Sequence, residues 1–372
     1  MPETRALAAP ETQGIKYAGS KRKLLPHILR LARKVQPRTV LDGFSGTTRV
    51  AQMFAQTGYR VMANDLSVWS EVFGRCYLLN PHLPQHYEPL IEHLNALPGV
   101  DGWFTEHYGG SAKDGNSAGG DGLKKPWQIS NTRRLDAIRA EIDRLGVTEI
   151  EKSVLLASLI LALDEVDNTL GHFVSYLSDW SPRSYHPLRL RVPRLLPIQQ
   201  SHTVHRGDIF QLLPGMEADL AYFDPPYGSN NEKMPPSRVR YAAYYHLWTT
   251  LCLNDRPALF GKARRRDDSS DTQAGSVFED FRRDDAGRFI AVAAIERLLR
   301  ATPARHILLS YSSGGRATAE ELHEVISSAG RVIEVLEIDH RRNVMAGMRW
   351  TNEWVRLAEA PHAEMLFLIE KT

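Results

Sequence analysis

The sequence is poor in cysteine and has no long apolar run, and both absences narrow the kinds of protein it can be. Cys76 and Cys252 are the two cysteines in 372 residues, too few for a disulfide framework or a cysteine metal cluster. No stretch approaches the roughly 20 apolar residues of a membrane span, and the first residues lack the apolar core of a signal peptide. The sequence therefore predicts a cytoplasmic protein with two packing thiols and no membrane contact.

The overall composition excludes little. Hydrophobic residues make up 42% of the chain and charged residues 24%, which is ordinary for a globular protein. The length is enough for a full-size core and predicts about two domains. A net charge of +2 says nothing about partners, so only the distribution of charge can be informative.

Basic side chains are concentrated in two parts of the chain. Residues 181–206 hold five arginines, three histidines and no acid, and residues 229–266 also hold more basic than acidic side chains. The arginines concerned include Arg183, Arg189, Arg191, Arg194, Arg206, Arg238 and Arg240. Such an excess fits contact with a polyanion, although a solvated loop surface explains it equally well.

Short β-branched runs alternate with helical patterns, which is typical of an α/β sheet. Strands are predicted at 39–42, 60–65, 203–206, 220–223 and 306–311, and runs 332–338 and 365–369 are predicted to pair as a long hairpin. Helices are predicted at 49–57 and 285–301. This alternation predicts an open sheet with helices on its faces.

The alternation stops between the second and third predicted strands, from about Pro81 to Pro197. A Gly/Ser-rich stretch at 109–120 predicts a flexible loop, and apolar periodicity predicts helices at 131–145 and 150–166. We therefore expect a largely helical insertion that ends in the first basic stretch.

The most informative motif is Asp224-Pro225-Pro226-Tyr227, directly after the apolar run 220–223. The exocyclic amine of adenine is a weak nucleophile because its lone pair is delocalised into the ring. The Asp224 carboxylate and the Pro225 carbonyl can accept the amine hydrogens, and the prolines hold these acceptors rigidly where open α/β sheets bind ligands. Tyr227 offers a flat face for an extruded base. We interpret the four residues as catalytic rather than as a simple Asp-Pro turn.

Four further segments fit a nucleoside cofactor. The strand–turn–helix 41–48 has small residues that let a ligand approach the backbone and the helix N-terminus, and Asp65 ends the next strand, where an acid can accept ribose hydroxyls. Lys21 can neutralise a carboxylate of the cofactor, and Tyr17 can pack beside the cofactor. After the third strand, Asp208 can accept an adenine amine while Ile209 packs on the ring. The predicted cofactor residues are Tyr17, Lys21, Asp42, Phe44, Ser45, Gly46, Asp65, Asp208, Ile209 and Asp224.

Together these segments resemble the Dam-type, alpha-group family of adenine-specific DNA methyltransferases. That family orders its parts as a Lys-Tyr/Trp-x-Gly-x-Lys segment, a Phe-x-Gly-x-Gly turn, a target-recognition insertion and Asp-Pro-Pro-Tyr. The chain follows this order with Tyr17 and Lys21, Phe44 and Gly46, the insertion, and Asp224 to Tyr227. Thr48 stands where the last glycine of the turn is usual, and we expect its side chain to narrow the approach of the cofactor.

The resemblance implies a fold, a reaction and partners. The expected fold is a Rossmann-like sheet of seven strands, the last antiparallel, divided as 1–80 for cofactor binding, 81–200 for target recognition and 201–372 for catalysis. The implied reaction is transfer of a methyl group from S-adenosylmethionine, without a metal, to N6 of adenine in double-stranded DNA by base flipping. The arginines expected to meet DNA phosphates are Arg183, Arg189, Arg191, Arg194, Arg238 and Arg240. A cognate restriction endonuclease and a prokaryotic or phage origin fit the same family.

Several alternatives stay open at this point. The same scaffold can methylate N4 of cytosine or adenine in RNA, and the irregular Thr48 leaves room for an inactive DNA-binding homologue. A dinucleotide-dependent oxidoreductase fits less well because the first strand lacks a Gly-x-Gly-x-x-Gly turn. Two suggestive clusters have simpler readings: the acids at 164–167 beside His172 are typical of a helix end, and the aromatic run 244–248 is typical of core.

Overall fold

The computed structural model describes residues 8–111, 115–197, 200–228, 240–270, 275–339, 345–348 and 363–372. Within these residues the chain forms one eight-stranded sheet with helices around it and a mainly helical insertion. Residues 229–239 after Tyr227, which include Arg238, lie outside the described residues, as does part of the Gly/Ser-rich stretch. No helix among the described residues combines the length and apolar character needed to cross a bilayer.

The sheet has a mostly parallel order with an antiparallel edge. Its strands are β1 (Thr39–Asp42), β2 (Arg60–Asp65), β3 (Thr203–Arg206), β4 (Leu220–Phe223), β5 (His306–Ser312), β6 (Gly330–Asp339), β7 (Met345–Met348) and β8 (Ala363–Lys371). The order across the sheet is β7-β6-β8-β5-β4-β1-β2-β3. Strands β1 to β5 run parallel, β8 is antiparallel to β5 and β6, and β7 is antiparallel to β6.

The predicted fold is confirmed, with one strand added. Strands β6 and β8 pair over their whole length, from Gly330 opposite Lys371 to Asp339 opposite Ala363, as predicted for the hairpin. The added strand is β7. The sequence did not predict it, because it is only four residues long and contains glycine. It extends the antiparallel edge, away from β1 and β4.

Strands β1 and β4 lie at the centre of the sheet and are covered on both faces. Val40, Leu41, Leu220, Ala221 and Phe223 are each at most 1% exposed. Parallel strands buried on both faces read as continuous apolar runs, which is why these two were recognisable. Their carboxyl ends place Asp42 and Asp224 side by side at one edge of the sheet.

Twelve α-helices occur among the described residues. They are α1 (Leu25–Val35), α2 (Arg49–Gln56), α3 (Val68–Gly74), α4 (Pro84–Ala96), α5 (Trp103–Tyr108), α6 (Ile129–Arg144), α7 (Glu149–Glu165), α8 (Ile209–Leu212), α9 (Tyr241–Tyr244), α10 (His246–Leu253), α11 (Ile290–Ala301) and α12 (Ala319–Ala329). A π-helical segment, Arg75–Leu79, continues α3. Helices α2, α6 and α7 therefore fall within two residues of their predicted bounds.

Helix α11 begins later than predicted because the preceding residues form a turn. The Oδ1 atom of Asp284 accepts hydrogen bonds from the N–H groups of Ala286 at 3.0 Å and Arg288 at 2.9 Å. Gly287 adopts φ +79°, which lies in the left-handed region that glycine favours. The helix can start only after this turn, at Ile290.

Helices α4 to α7, together with α3 and α10, form what we call the helical body. Helix α7 is its centre: a capping box between Thr148 and Glu151 starts the helix, and nearly every side chain from Val154 to Leu163 is buried, as expected for a helix that is apolar all round. Residues from outside 81–200 share its apolar core, namely Trp69, Phe73, Cys76, Tyr77, Tyr245, Leu247, Trp248, Leu251 and Cys252.

Candidate active site

A cavity of about 460 Å³ opens at the carboxyl ends of β1, β2 and β4, beside the helical body. This is the edge at which open parallel sheets bind ligands. Nine of the predicted site residues line it: Tyr17, Lys21, Asp42, Phe44, Ser45, Gly46, Asp65, Asp224 and Pro226. The cavity therefore collects residues from four separate segments of the sequence.

Asp42, at the end of β1, presents a buried carboxylate to this cavity. It is 1% exposed, and within the described part of the chain neither carboxylate oxygen reaches hydrogen-bonding geometry with a partner. Burial raises the pKa of Asp42 well above its usual range, and the charges of Asp224 and Asp65 raise it further. The backbone N–H groups of Phe44 and Ala51 offset this rise only in part. A buried carboxylate is costly, and a cationic ligand group in the cavity would reduce that cost.

Asp65 closes the turn that follows β1. Its Oδ2 accepts a hydrogen bond from the N–H of Gly46 and its Oδ1 one from the N–H of Ser67, both at 2.9 Å. Gly46 adopts φ +47°, and a Cβ there would lie 3.3 Å from the hydroxyl of Tyr17. The turn is thus held tight against the cavity by a residue that needs to be glycine.

Thr48 does not occupy the cavity, contrary to our expectation. It adopts φ +58°, a left-handed conformation, is fully buried and is not among the residues that line the cavity. Its hydroxyl accepts a hydrogen bond from Gln52 Nε2 at 3.0 Å. The side chain points into the start of α2, so the replacement of glycine costs backbone strain rather than room for a ligand.

Asp224, at the end of β4, is held by a lysine and a tyrosine. Lys21 Nζ lies 2.9 Å from Asp224 Oδ1 and 2.7 Å from the hydroxyl oxygen of Tyr227, and that hydroxyl donates to Asp224. A second carboxylate, Glu364 of β8, lies 3.2 Å from Lys21 Nζ and 2.6 Å from the Tyr227 hydroxyl oxygen. Lys21, Asp224, Tyr227 and Glu364 form what we call the lysine cluster.

The charges of the lysine cluster oppose one another. Burial raises the pKa of Asp224 to about 6, with Lys21 lowering it and Glu364 raising it. For Lys21, burial alone would lower the pKa, but Asp224 and Glu364 more than offset it and leave the pKa above the usual value. One ammonium therefore serves two carboxylates, and the net effect is a raised pKa of Asp224, a perturbation that is common at functional sites.

Aromatic rings cover the side of the cavity next to the helical body. Tyr17 stacks on Tyr241 with ring centroids 5.3 Å apart and on Tyr245 at 4.8 Å, and Trp69 lies 5.7 Å from Tyr17. Trp69 and Tyr241 line the cavity but were not among the predicted residues. The run 244–248 is core, as predicted: Tyr245, His246, Leu247 and Trp248 are buried.

Glu279 is a further cavity residue that the sequence did not point to. It is 2% exposed, and its Oε1 accepts a hydrogen bond from the N–H of Tyr241 at 2.8 Å. Burial raises its pKa to about 7. No motif surrounds it in the sequence, so only the fold brings it to the cavity.

Some predicted site residues do not line this cavity. Asp208 is exposed and caps α8, accepting a hydrogen bond from the N–H of Phe210 at 3.0 Å, and Ile209 is buried in the sheet core. Pro225 is buried directly behind Asp224. Tyr227 turns its hydroxyl into the lysine cluster, while its ring packs against Tyr311 with centroids 4.9 Å apart.

The predicted phosphate-binding arginines divide into two groups. Arg189, Arg191 and Arg194 are exposed, and the last two pair with Glu165 and Glu11. Arg183 instead donates to the backbone carbonyl of Asp167 at 2.8 Å and pairs with its carboxylate at 2.8 Å. Arg240 is 2% exposed with its guanidinium over the ring of Phe281, a position that keeps it from a phosphate in this structure.

The acids near His172 form an ion cluster, not a ligand set. Lys16 Nζ lies 2.6 Å from Asp167 Oδ1, Arg183 pairs with the same oxygen, and the hydroxyl of Thr169 donates to Asp167 at 2.5 Å. His172 packs against Tyr244 with ring centroids 4.7 Å apart. These contacts tie the segment before α1 to the end of α7, which supports the structural interpretation.

Comparison of the sequence with known proteins identifies a family. A model of the D12 class N6 adenine-specific DNA methyltransferases matches residues 17–279. The modification methylase StsI of Streptococcus sanguinis is 26% identical over 88% of this chain and 48% of its own length. The type II methyltransferase M.NlaIII of Neisseria lactamica is 26% identical over 88% of this chain and 91% of its own. For M.FokI of Planomicrobium okeanokoites the identity is 26%, over 85% and 47%.

The chain spans about half the length of StsI and M.FokI and nearly all of M.NlaIII. The matched segment begins at Tyr17 and ends at Glu279, both of which line the cavity, and it includes the Asp224–Tyr227 motif. Because this match covers most of the chain, the protein belongs to the family of D12 class N6 adenine-specific DNA methyltransferases.

Proposed function

We propose that this protein transfers a methyl group from S-adenosylmethionine to N6 of adenine at a specific sequence in double-stranded DNA. The observation that carries the proposal is the Asp224 carboxylate, which lies at the end of β4 in the wall of a cavity large enough for a nucleoside. Membership of a methyltransferase family implies S-adenosylmethionine as cofactor. When bound, this cofactor supplies an electrophilic methyl group on a sulfonium centre.

The cavity fits that cofactor in charge and shape. The buried carboxylate of Asp42 has no hydrogen-bond partner among the described residues, and it suits a ligand that carries a sulfonium and an ammonium group. Asp65 is the last residue of β2, the position at which related sheets accept ribose hydroxyls. The turn at Gly46 brings backbone close to the cavity. The aromatic rings of Tyr17 and Trp69 offer apolar surface beside these acids.

Asp224 and the Pro225 carbonyl would hold the target amine. Accepting its two hydrogens localises the nitrogen lone pair. As the new N–C bond forms, the bond between the methyl carbon and sulfur would break, its electron pair would stay on the neutral thioether that leaves, and Asp224 Oδ1 would take one amine proton. Positioning of the amine supplies much of the rate. Lys21 is already matched by two carboxylates, so we assign it to the amine side of the cavity rather than to the cofactor carboxylate. We keep Tyr227, whose ring remains partly exposed, as the surface on which the extruded base stacks.

The order of the segments supports the finer assignment to the Dam-type alpha group. Lys21, the turn at Phe44 and Gly46, the helical insertion and the Asp224 motif follow one another in that group's order. Lys21, Phe44, Gly46 and Asp224 also meet in one cavity. We assign target recognition to the insertion, about 81–200, with the cofactor and catalytic segments at 1–80 and 201–372.

Double-stranded DNA would lie against the helical body and the open side of the cavity. The exposed arginines Arg189, Arg191 and Arg194 suit its phosphates, which fix position but carry no base information. Because M.NlaIII and M.FokI are type II methyltransferases by name, we further propose a prokaryotic or phage modification system with a cognate endonuclease.

Single-molecule sequencing of host DNA tests the proposal. Expression of the protein should add N6-methyladenine at one short motif, and Asp224→Ala should abolish the signal. Glu217→Gln is the matched control, since this exposed carboxylate lies on the chain shortly before β4. Methylcytosine without methyladenine, methylation of RNA alone, or no methylation by the folded protein would each overturn the proposal.

A further inference from the structure

Glu364 lies on β8, beyond the segment that the family model matches. In the sheet it stands opposite Ser312 of β5, and it is 4% exposed. A carboxylate this deeply buried is rare unless it is paired. Strand β5 lies between β8 and β4, and the Glu364 side chain contacts Tyr227 in the segment that follows β4.

One oxygen of Glu364 contacts both Lys21 and Tyr227 of the lysine cluster. Its Oε1 lies 3.2 Å from Lys21 Nζ and 2.6 Å from the Tyr227 hydroxyl oxygen. The hydroxyl of Ser310 on β5 donates to the same oxygen at 2.7 Å. Lys21 therefore lies between two carboxylates, one facing the cavity and one fixed in the sheet.

We propose that Glu364 is a positioning residue that keeps Lys21 and Tyr227 in place when Asp224 releases them to bind the target amine. The proposal rests on the function proposed above. Asp224 Oδ1 is occupied by Lys21 and Tyr227 in this structure, so an entering amine has to displace at least one of them. Glu364 Oε1 is the second acceptor within reach of both, so Lys21 can keep its contact with it and the Tyr227 hydroxyl can turn its hydrogen to it.

The energetic reason is the cost of a buried charge without a partner. Lys21 is 6% exposed, and breaking a buried ion pair by loss of one partner costs several kcal/mol. With Glu364 present, the ammonium still has a carboxylate after Asp224 turns to the amine. With a neutral residue at position 364, Asp224 would be the sole counter-charge in the lysine cluster. Lys21 and the substrate amine would then compete for Asp224.

Glu364→Gln tests the proposal, because glutamine keeps the shape and the acceptor oxygen but removes the charge. Glu370→Gln is the matched control: Glu370 is on the same strand, and its side chain pairs with Arg305 and Arg331 at the surface. We expect kcat of Glu364→Gln to fall at least tenfold, the change that one pKa unit of interaction produces. Affinity for S-adenosylmethionine, measured by calorimetry, should stay within about twofold of wild type.

The pH profile separates positioning from a merely structural role. Loss of the Glu364 charge should move the acid limb of kcat to lower pH, because Glu364 raises the pKa of Asp224. Glu364→Asp keeps the charge and should keep the limb near its wild-type position. The other groups coupled electrostatically to Asp224 are Lys21, Asp42 and four tyrosines, Tyr17, Tyr222, Tyr227 and Tyr241. The pKa values of the tyrosines are raised well above their usual range, so they stay neutral across the acid limb, and none of these groups is altered in the variants.

The outcomes are distinguishable. If wild type transfers no methyl group, the proposed function fails and the inference with it. If wild type is active and folded Glu364→Gln matches it in both kcat and acid limb, the inference alone fails. Should Glu364→Gln not fold, Glu364→Asp decides: retention of the acid limb with a reduced kcat supports the proposal, and a displaced limb with an unchanged kcat overturns it.

Discussion

Lys21 Nζ lies 2.9 Å from Asp224 Oδ1, so the carboxylate at the centre of the proposed reaction is paired with the protein's own cation. An amine of a bound base would approach the same oxygen. The lysine cluster thus gives Asp224 a counter-charge until substrate arrives and sets the ionisation on which catalysis depends.

Methyl transfer should require Asp224 to be ionised. Its pKa is raised to about 6, so the carboxyl is protonated below that pH and cannot accept the amine hydrogens. We expect kcat/KM, which reports ionisation of the free enzyme, to rise with pH up to about 6 and then level off, losing roughly tenfold for each unit below. Initial rates with radiolabelled cofactor from pH 5 to 8 check this, with circular dichroism at each pH to verify folding. A flat profile down to pH 5 would contradict it.

Replacing Asp42 should lower the affinity for cofactor but raise the stability of the free protein. Asp42→Asn removes a buried carboxylate whose pKa is well above its usual range, so the free protein should become more stable at pH 8, seen as a higher Tm. Affinity for S-adenosylmethionine should fall about tenfold or more, since a partly desolvated ion pair is worth more than 1 kcal/mol.

The wild-type protein should also bind S-adenosylmethionine more tightly as pH rises, because the raised pKa of Asp42 means that ionisation is linked to binding. Calorimetry at pH 6, 7 and 8 measures this for both proteins. An Asp42→Asn protein with wild-type affinity and the same pH dependence would remove Asp42 from the cofactor site.

Thr48→Gly should leave cofactor affinity unchanged, because Thr48 does not line the cavity. Glycine relieves the left-handed strain at φ +58°, about 1 kcal/mol. It also loses the hydrogen bond from Gln52, worth about 1 kcal/mol, so Tm should change little. Thr48→Ala is the control, since it keeps the strain, loses the bond and should lower Tm. Tighter binding by Thr48→Gly would restore our original expectation of a narrowed approach.

Two of the basic-stretch arginines should behave differently when changed to glutamine. Arg189→Gln should weaken DNA binding without changing Tm, and should reduce the dependence of log K on log salt by about 0.9 if one phosphate contact is lost. Arg183→Gln should lower Tm instead, because Arg183 partners the buried carboxylate of Asp167. Binding isotherms at several salt concentrations together with thermal unfolding measure both effects. Equal loss of Tm in the two variants would contradict this division.

Much of the sheet and of the cofactor turn was predictable because the evidence is local. Continuous apolar runs mark β1 and β4, which are buried on both faces, and Asp42, Gly46 and Asp224 follow directly after such runs. Since parallel strands end at the same edge, residues that follow different strands are bound to meet. Seven of the nine predicted residues that line the cavity do so for this reason, whereas Tyr17 and Lys21 come from the segment before α1.

Residues that reach the cavity from elsewhere could not be predicted. Trp69 comes from α3 of the helical body and Tyr241 from the short helix α9, and Glu364 comes from β8, where no motif surrounds it. No pattern in the sequence distinguishes these residues from ordinary core or surface residues. Asp208, in contrast, was predicted at the cofactor site but does not line the cavity, because the same Asp-Ile pattern that suits a cofactor is also a helix cap.

The helical body is built from three separate stretches of chain. This limits how target specificity can be exchanged between related proteins. Arg139 of α6 donates to the carbonyls of Leu251 and Cys252 at the end of α10, at 2.6 and 3.1 Å, and α10 shares the apolar core with α3. A cassette cut at 81 and 200 would leave apolar surface bare on both the donor and the recipient. Chimeras that transplant target choice between relatives should therefore carry residues 68–79 and 241–266 along with the insertion.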